Sequence, residues 1–393
     1  MTTGMPSGAV RWPRVLHAVD PGPAGEPDRV VATLLRECAR ERADVAAAVI
    51  VTPGSPAISE WMTLETSGIR VFCYAIPSGR RLRHLARYRE AIDEWRPAVV
   101  HCHGPRADLL AGWAARRRRV PVVSTVHGFA GKDLSERLGS WLRRRILSGH
   151  DALIAASEPV QAQLIVSGMA PERVHLLRDP MPTTAAPLTR SGARAELGLP
   201  DDALVLGWAG RLTGDEGADV LLESLPWLMD LPLTVSILGD GEELSALQAL
   251  AERLGVADRI CWHGNRREAT RLFTAFDCFV ACPRRDETPR SLLYAMAAGV
   301  PVVAATVGDV SKVVRENEGM RVPPAAPAAL ALAIRSTLTG RTAALERAAR
   351  ARSHVTEAFA PEPWVARHAA IYQGVLQHAR PGYSGRKGHA RPS

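Results

Sequence analysis

The chain has 393 residues and a mass of 42.4 kDa, too long for one ordinary core and about right for two domains of roughly 180 residues each. Its 46% apolar and 23% charged residues exclude a mainly disordered or fibrous chain. The net charge of +8 lies wholly in residues 1–190, where 26 Lys+Arg face 18 Asp+Glu, while residues 191–393 hold 23 of each; the first half is therefore the one expected to meet an anionic partner or surface.

The longest apolar run, Ala295 to Val307, spans 13 residues and is interrupted by Gly299 and Pro301, which excludes it as a membrane-spanning helix. Arg11 and Arg14 precede any long apolar stretch, so no secretory signal is expected. The six cysteines (Cys38, Cys73, Cys102, Cys261, Cys278 and Cys282) form no C-x-x-C pair and read as buried free thiols in a reducing cytoplasm.

In chain order, the pattern predicts strands at Arg14–Val19, Val45–Val51, Ile69–Tyr74, Ala98–Cys102, Val120–Val126, Ala152–Ala156 and Val174–Leu177. Most are continuously apolar, as expected when helices cover both faces of a parallel sheet. Between them, Val30, Val31, Leu34, Leu35 and Cys38, and later Leu82, Leu85, Ile92 and Trp95, recur at helical spacing. Asp179 to Leu199 carries Pro180, Pro182, Pro187 and Gly192 with little apolar periodicity, and reads as a linker. Strands then resume at Leu204–Ala209, Leu233–Leu238, Arg259–Trp262, Cys278–Ala281, Pro301–Ala305 and Met320–Val322, with helices at 217–229, 242–254 and 287–298. The segment Pro323–Leu330 reads as low in complexity. The run Trp364 to Gln377 reads as a closing helix, and the tail from Arg380 to Ser393 as disordered. The expectation is two doubly wound α/β domains facing a central cleft.

In such sheets, ligands sit beyond the carboxyl ends of strands, where helix N-termini offer N–H groups to anions. Three glycine-bearing turns occupy such places: Pro21 to Gly25, Gly207 to Gly214 with Arg211, and Leu238 to Glu242 with Gly239 and Gly241. An arginine among glycines suits bidentate phosphate binding.

With these turns in place, the chain resembles the family 4 glycosyltransferases of the GT-B fold from about Val15 to Gln377. The resemblance is carried by Val99-Val-His-Cys-His103, Ser124-Thr-Val-His-Gly128, Gly210-Arg211-Leu212, Leu238-Gly-Asp-Gly241, Trp262-His-Gly264 and the block Ser291 to Val303. It implies an N-terminal acceptor domain (1–185), a C-terminal nucleotide-sugar domain (190–360), a closing helix (361–378) that crosses back to the first domain, and a tail (379–393). It also implies retaining transfer of a hexose-type sugar from a nucleotide donor, with no cofactor and no required metal. His127 matches the histidine that contacts the donor sugar near the reacting carbon. Arg211 matches the arginine that neutralises the donor diphosphate as its charge grows, an interaction stronger in the transition state. Gly25 falls in the N-domain donor loop, and the turn Thr288, Pro289, Arg290, Ser291 and Leu292 matches the backbone that cradles sugar and phosphate.

Four positions depart from the family pattern. Glu216 stands where a lysine usually pairs with the diphosphate. Asp286 and Tyr294 replace the family's two glutamates, and Glu26 replaces the second glycine of the N-domain loop. The absence of the lysine removes a charge-assisted hydrogen bond worth roughly 1.5–3 kcal/mol. Two readings stay open: a donor site rebuilt around Arg290 and Tyr294, or a non-catalytic pseudo-glycosyltransferase that is the partner or regulator of another glycosyltransferase.

His101 and His103 point to the same side of a strand, and no third or fourth metal ligand follows at suitable spacing. They read as polar acceptor-side residues at a strand end facing the cleft. Arg137 with Arg143, Arg144 and Arg145, beside Leu138, Trp141, Leu142 and Ile146, makes an amphipathic basic helix of the kind that lies on anionic lipid. The expected partners are thus a nucleotide-sugar, a cell-envelope, lipid-linked or polysaccharide acceptor, and an anionic membrane surface. Basic stretches with no interleaved aromatic residues beyond Tyr88 and Trp141, and no nucleic-acid motif, argue against nucleic acid. The expected location is the cytoplasm, peripheral at the inner membrane face.

Overall fold

A computed structural model describes residues 12–20, 26–55, 57–77, 79–127, 141, 143–181, 186–266, 268–284 and 290–378. Gly25, Asp286, Thr288 and Pro289 lie outside these residues, as do Arg137, Leu138, Leu142 and the tail from 379 onward. The chain divides into two compact units: an N-terminal unit of residues 1–182 with 361–393, and a C-terminal unit of residues 183–360.

In the N-terminal unit, seven parallel strands stand in the order β3-β2-β1-β4-β5-β6-β7. They are β1 (Val15–Val19), β2 (Val45–Val51), β3 (Arg70–Ala75), β4 (Val99–His103), β5 (Val122–Val126), β6 (Ala152–Ala155) and β7 (Val174–Leu176). Every residue of β1, β2, β4, β5 and β6 is buried, because helices occupy both faces and leave no solvated side to select alternation. On one face α1 (Glu26–Arg40) inserts Val31, Leu34, Leu35 and Cys38 into the core that Val15, Ala47 and Val49 build from below. The helix Pro361–His378 closes the same face. Its buried Trp364, Val365, His368, Ala369, Tyr372 and Val375 recur at the spacing of one helical stripe. On the other face α2 (Arg81–Trp95) and α3 (Pro105–Arg117) supply Tyr88, Ile92, Ala107 and Ala111.

The C-terminal unit repeats the design with six parallel strands in the order β10-β9-β8-β11-β12-β13: β8 (Leu204–Ala209), β9 (Leu233–Leu238), β10 (Ile260–Trp262), β11 (Cys278–Ala281), β12 (Val302–Ala305) and β13 (Met320–Val322). In both sheets the strand order reverses once, between β1 and β4 and between β8 and β11. The crevice outside the carboxyl ends of the strands at such a reversal is where this architecture places ligands.

The structure differs from the sequence reading in several local places. Within the supposed linker, Arg190–Leu197 is a helix: the Thr189 side chain accepts from the Gly192 N–H, Gly198 ends it in the left-handed region, and Ala193, Arg194 and Leu197 are buried. The prolines on either side mask this short capped helix. Pro327–Thr339 and Arg341–Ala358 are also helices. The second buries mostly alanine (Ala344, Ala348 and Ala351 beside Val355), which gives a weak apolar period, whereas the first buries Leu330, Ile334 and Leu338 at helical spacing. Four of the six free cysteines are buried, while Cys73 and Cys261 are half-buried. Among the described residues, no helix is long and apolar enough to cross a membrane.

Candidate functional site

At the β8/β11 reversal, two glycine turns lock onto each other. The Gly210 N–H donates to the Leu238 carbonyl at 3.0 Å and the Leu212 N–H to the Asp240 carbonyl at 3.0 Å. Gly239 has φ +141, and a Cβ there would stand 1.8 Å from the Gly210 carbonyl oxygen; one on Gly241 would stand 2.4 Å from that of Leu212. These glycines let one turn approach the other closely. Arg211 sits exposed on the first turn.

Glu216 is half-buried, and its Oε2 lies 3.5 Å from where a Cβ on Gly210 would stand. The carboxylate thus reaches over the same turn that carries Arg211. Across the reversal, the Cys282 thiol donates to the Gly217 carbonyl at 3.0 Å, and Arg284 donates to the Gly214 carbonyl at 2.9 Å and to both carboxylate oxygens of Asp219 at 2.6 Å each. Sequence reasoning missed Arg284, whose partner Asp219 is 65 residues away. Arg290, Ser291, Leu292 and Tyr294 begin the helix Arg290–Ala297. Leu292 is fully buried, while Tyr294 is half-buried with its ring centroid 6.2 Å from that of Phe273.

At the β1/β4 reversal the N-terminal unit presents imidazoles. The register of β1 with β4 sets His17 beside His101 and Val19 beside His103, so His17, His101 and His103 share one face of the sheet. His101 and His103 are 0% and 5% exposed, which corrects the expectation that they face an open cleft: the helix Pro361–His378 covers them. His101 Nδ1 meets the Tyr372 hydroxyl at 2.8 Å and its Nε2 meets Thr125 Oγ1 at 2.8 Å; His17 Nδ1 lies 3.1 Å from His103 Nε2. The imidazoles are kept neutral chiefly by burial, which lowers the pKa of His17 to about 3 and of His368 to about 4, and those of His101 and His103 far below the usual histidine range.

One ligand atom from each of His17, His101 and His103 lies within 4.8 Å of the others, so these residues are the group among those described that could hold a metal ion. The sequence reading missed His17, because only sheet pairing brings it in. Hydroxyls already bond both nitrogens of His101, and no carboxylate stands in the group to offset a divalent charge in the core. The geometry is accounted for by the hydrogen bonds.

His127 follows β5 directly and is half-buried, with Nδ1 3.6 Å from Asp179 Oδ2. The two residues line a cavity of about 10 Å³ together with His103, Thr125, Trp364 and His368, space for about one water molecule. In the sequence Asp179 stands out only as the start of a linker.

On the opposite face of β5, the buried Ser124 hydroxyl donates to Asp108 Oδ1 at 2.7 Å and meets His150 Nδ1 at 2.8 Å. Arg143 Nε reaches Asp108 Oδ2 at 3.3 Å with a side chain only 15% exposed. Arg143 is therefore an anchor of the basic segment and does not present its charge to a surface. Arg144 and Arg145 are exposed, and Trp141 is 61% exposed.

Both halves of the chain match known domains. Residues 25–180 match the glycosyl transferase 4-like domain and residues 203–340 the glycosyl transferases group 1 domain. The D-inositol 3-phosphate glycosyltransferase 1 of Catenulispora acidiphila is 32% identical over 312 residues, which is 72% of this chain and 73% of that protein. The glycogen synthase of Mycobacterium tuberculosis is 28% identical over 324 residues, 78% of this chain and 74% of that one. The crystal structure of Anabaena HepE in complex with UDP shares the fold at a TM-score of 0.77 and 21% identity, covering 92% of this chain and 100% of the other. The chain thus belongs to the glycosyltransferases that join these two domains, and its two parallel-sheet units are those of the GT-B fold.

Proposed function

We propose that this protein transfers a sugar from a nucleotide-sugar to a lipid-linked, polysaccharide or other cell-envelope acceptor, with retention at the anomeric carbon and no required metal. The observation that carries the reading is Arg211, exposed on a glycine turn at the β8/β11 reversal, where a diphosphate would meet a guanidinium. In this reading Arg211 offsets the charge that grows on the departing diphosphate, and His127 contacts the sugar. A uridine nucleotide is the first donor to test, since HepE was crystallised with UDP and with UDP-glucose.

Glu216 favours a second reading, because a carboxylate over the Arg211 turn opposes a diphosphate there. In that reading the chain is a pseudo-glycosyltransferase that acts through binding to another transferase. Incubation with UDP-glucose, UDP-N-acetylglucosamine and GDP-mannose, each with a polyprenyl-linked sugar or a phosphorylated polyol, separates the two. Turnover of one donor, abolished in Arg211→Ala and yielding a product of retained anomeric configuration by NMR, is the expected result. No turnover of any donor by a folded protein would favour the binding role.

The working surface in this proposal is the cytoplasmic face of a membrane, met through Trp141, Arg144 and Arg145. The replacement Arg144→Gln with Arg145→Gln should release the protein from vesicles rich in anionic lipid, while Arg143 is left in place to hold Asp108. Undiminished vesicle binding would remove the membrane contact.

A further inference from the structure

We propose that Asp179, His127 and His103 form a socket for one hydroxyl group of a carbohydrate substrate, in which Asp179 is the positioning residue that fixes the ring of His127. The inference rests on the transferase reading and adds to it a residue and a binding position in the N-terminal unit.

The cavity these residues line, about 10 Å³, has room for about one water or one alcohol oxygen. Much of its polar wall is already committed: Thr125 Oγ1 bonds His101 Nε2 at 2.8 Å, and His368 Nδ1 meets the Trp364 carbonyl at 3.0 Å. His103 is different. Its Nε2 faces His17, while its Nδ1 is buried without a partner on a side chain 5% exposed. A buried ring nitrogen left unpaired is costly, and a hydroxyl relieves that cost whichever tautomer His103 adopts, since it both donates and accepts.

Asp179 Oδ2 stands 3.6 Å from His127 Nδ1, an ion-pair distance that must shorten by several tenths of an ångström to become a hydrogen bond. Active-site pairs commonly tighten in this way when substrate arrives. A carboxylate opposite Nδ1 keeps the ring proton on that nitrogen and leaves Nε2 as the acceptor. Asp179 thereby sets which edge of His127 a substrate hydroxyl meets.

The test is nitrogen NMR of the full chain labelled at histidine, with the His127 signals assigned through His127→Gln. The expected pattern is a protonated Nδ1 and an unprotonated Nε2, with the proton shifting towards Nε2 in Asp179→Asn. With UDP-glucose as the donor, Asp179→Asn should lower kcat about tenfold or more and leave KM within about threefold, since misplacing a catalytic group costs turnover before binding. Asp179→Glu, which restores the carboxylate, should recover part of that loss. A wild-type ring protonated on Nε2, or identical ring signals in Asp179→Asn, overturns the inference whatever the activity. The expected ring pattern in a protein that turns over no donor would support the socket geometry and strike the transferase reading instead.

Discussion

In the N-terminal unit the buried polar groups are mostly imidazoles, whereas the C-terminal unit buries a guanidinium and its carboxylate. His17, His101, His103 and His368 lose their charge on burial and then need only hydroxyls, carbonyls and one another. Arg194, 0% exposed, cannot lose its charge. It is therefore surrounded by the carbonyls of Ala275, Pro200, Asp201 and Ala203 and by Asp277 Oδ2 at 2.9 Å. Burial works against the ionised form of Asp277, but the Val205 N–H and the guanidinium groups of Arg341 and Arg190 outweigh it and hold its pKa below the usual range. The same fold thus meets the problem in two ways, by neutralisation at these four imidazoles and by pairing at Arg194. The two solutions differ in how they respond to mutation and to pH.

The largest expected effect is in the C-terminal unit. Asp277→Ala leaves Arg194 buried beside no carboxylate, and should cost that unit about 3–5 kcal/mol. Urea unfolding followed through Trp208 of that unit would read the loss, and a change below about 1 kcal/mol would contradict the pairing account.

Acid separates the units next. Unfolded imidazoles take up protons near pH 6.5, whereas folded His17 does so only at about 3 and His150 and His368 at about 4, all chiefly because of burial. Their contribution to stability is complete above pH 6.5 and is lost as the pH falls below it, at up to about 1.4 kcal/mol per pH unit for each imidazole. Asp108 runs the other way. Burial raises its pKa to about 6, so between about 4 and 6 the folded state binds its proton first and regains part of the loss. Hydrogen exchange at pH 7 and pH 5 should show β1 and β4 losing protection while β8 and β11 retain theirs. Equal losses in both sheets would break the comparison.

The smallest effect is at the helix that closes the N-terminal unit. Tyr372→Phe removes one bond to His101, made at 2.8 Å, and should destabilise that unit by about 1 kcal/mol. No measurable change would mean that His101 finds another partner.

The sheet strands were legible because most are predominantly apolar runs with a local cause, and Val45–Val51, Leu204–Ala209 and Leu233–Leu238 match their expected bounds to the residue. The site was legible only where its parts are local, as with Arg211 among its glycines. His17 joins His101 through strand register, Arg143 finds Asp108 from 35 residues away, and Arg194 finds Asp277 from 83. No spacing rule within one segment encodes such pairings. Asp179 was hidden differently: it precedes Pro180 and Pro182, and the breaker signal of the prolines covered the carboxylate that faces His127.

The central claim is that the turn bearing Arg211 holds a nucleoside diphosphate despite Glu216. Titration calorimetry with UDP, using the wild type, Arg211→Ala and Glu216→Lys, tests it most directly. The account predicts measurable binding that weakens about tenfold or more in Arg211→Ala and tightens by a similar factor in Glu216→Lys, as expected when one charge-assisted hydrogen bond is removed or added. Wild-type binding unchanged by both substitutions would place the diphosphate elsewhere and contradict the account.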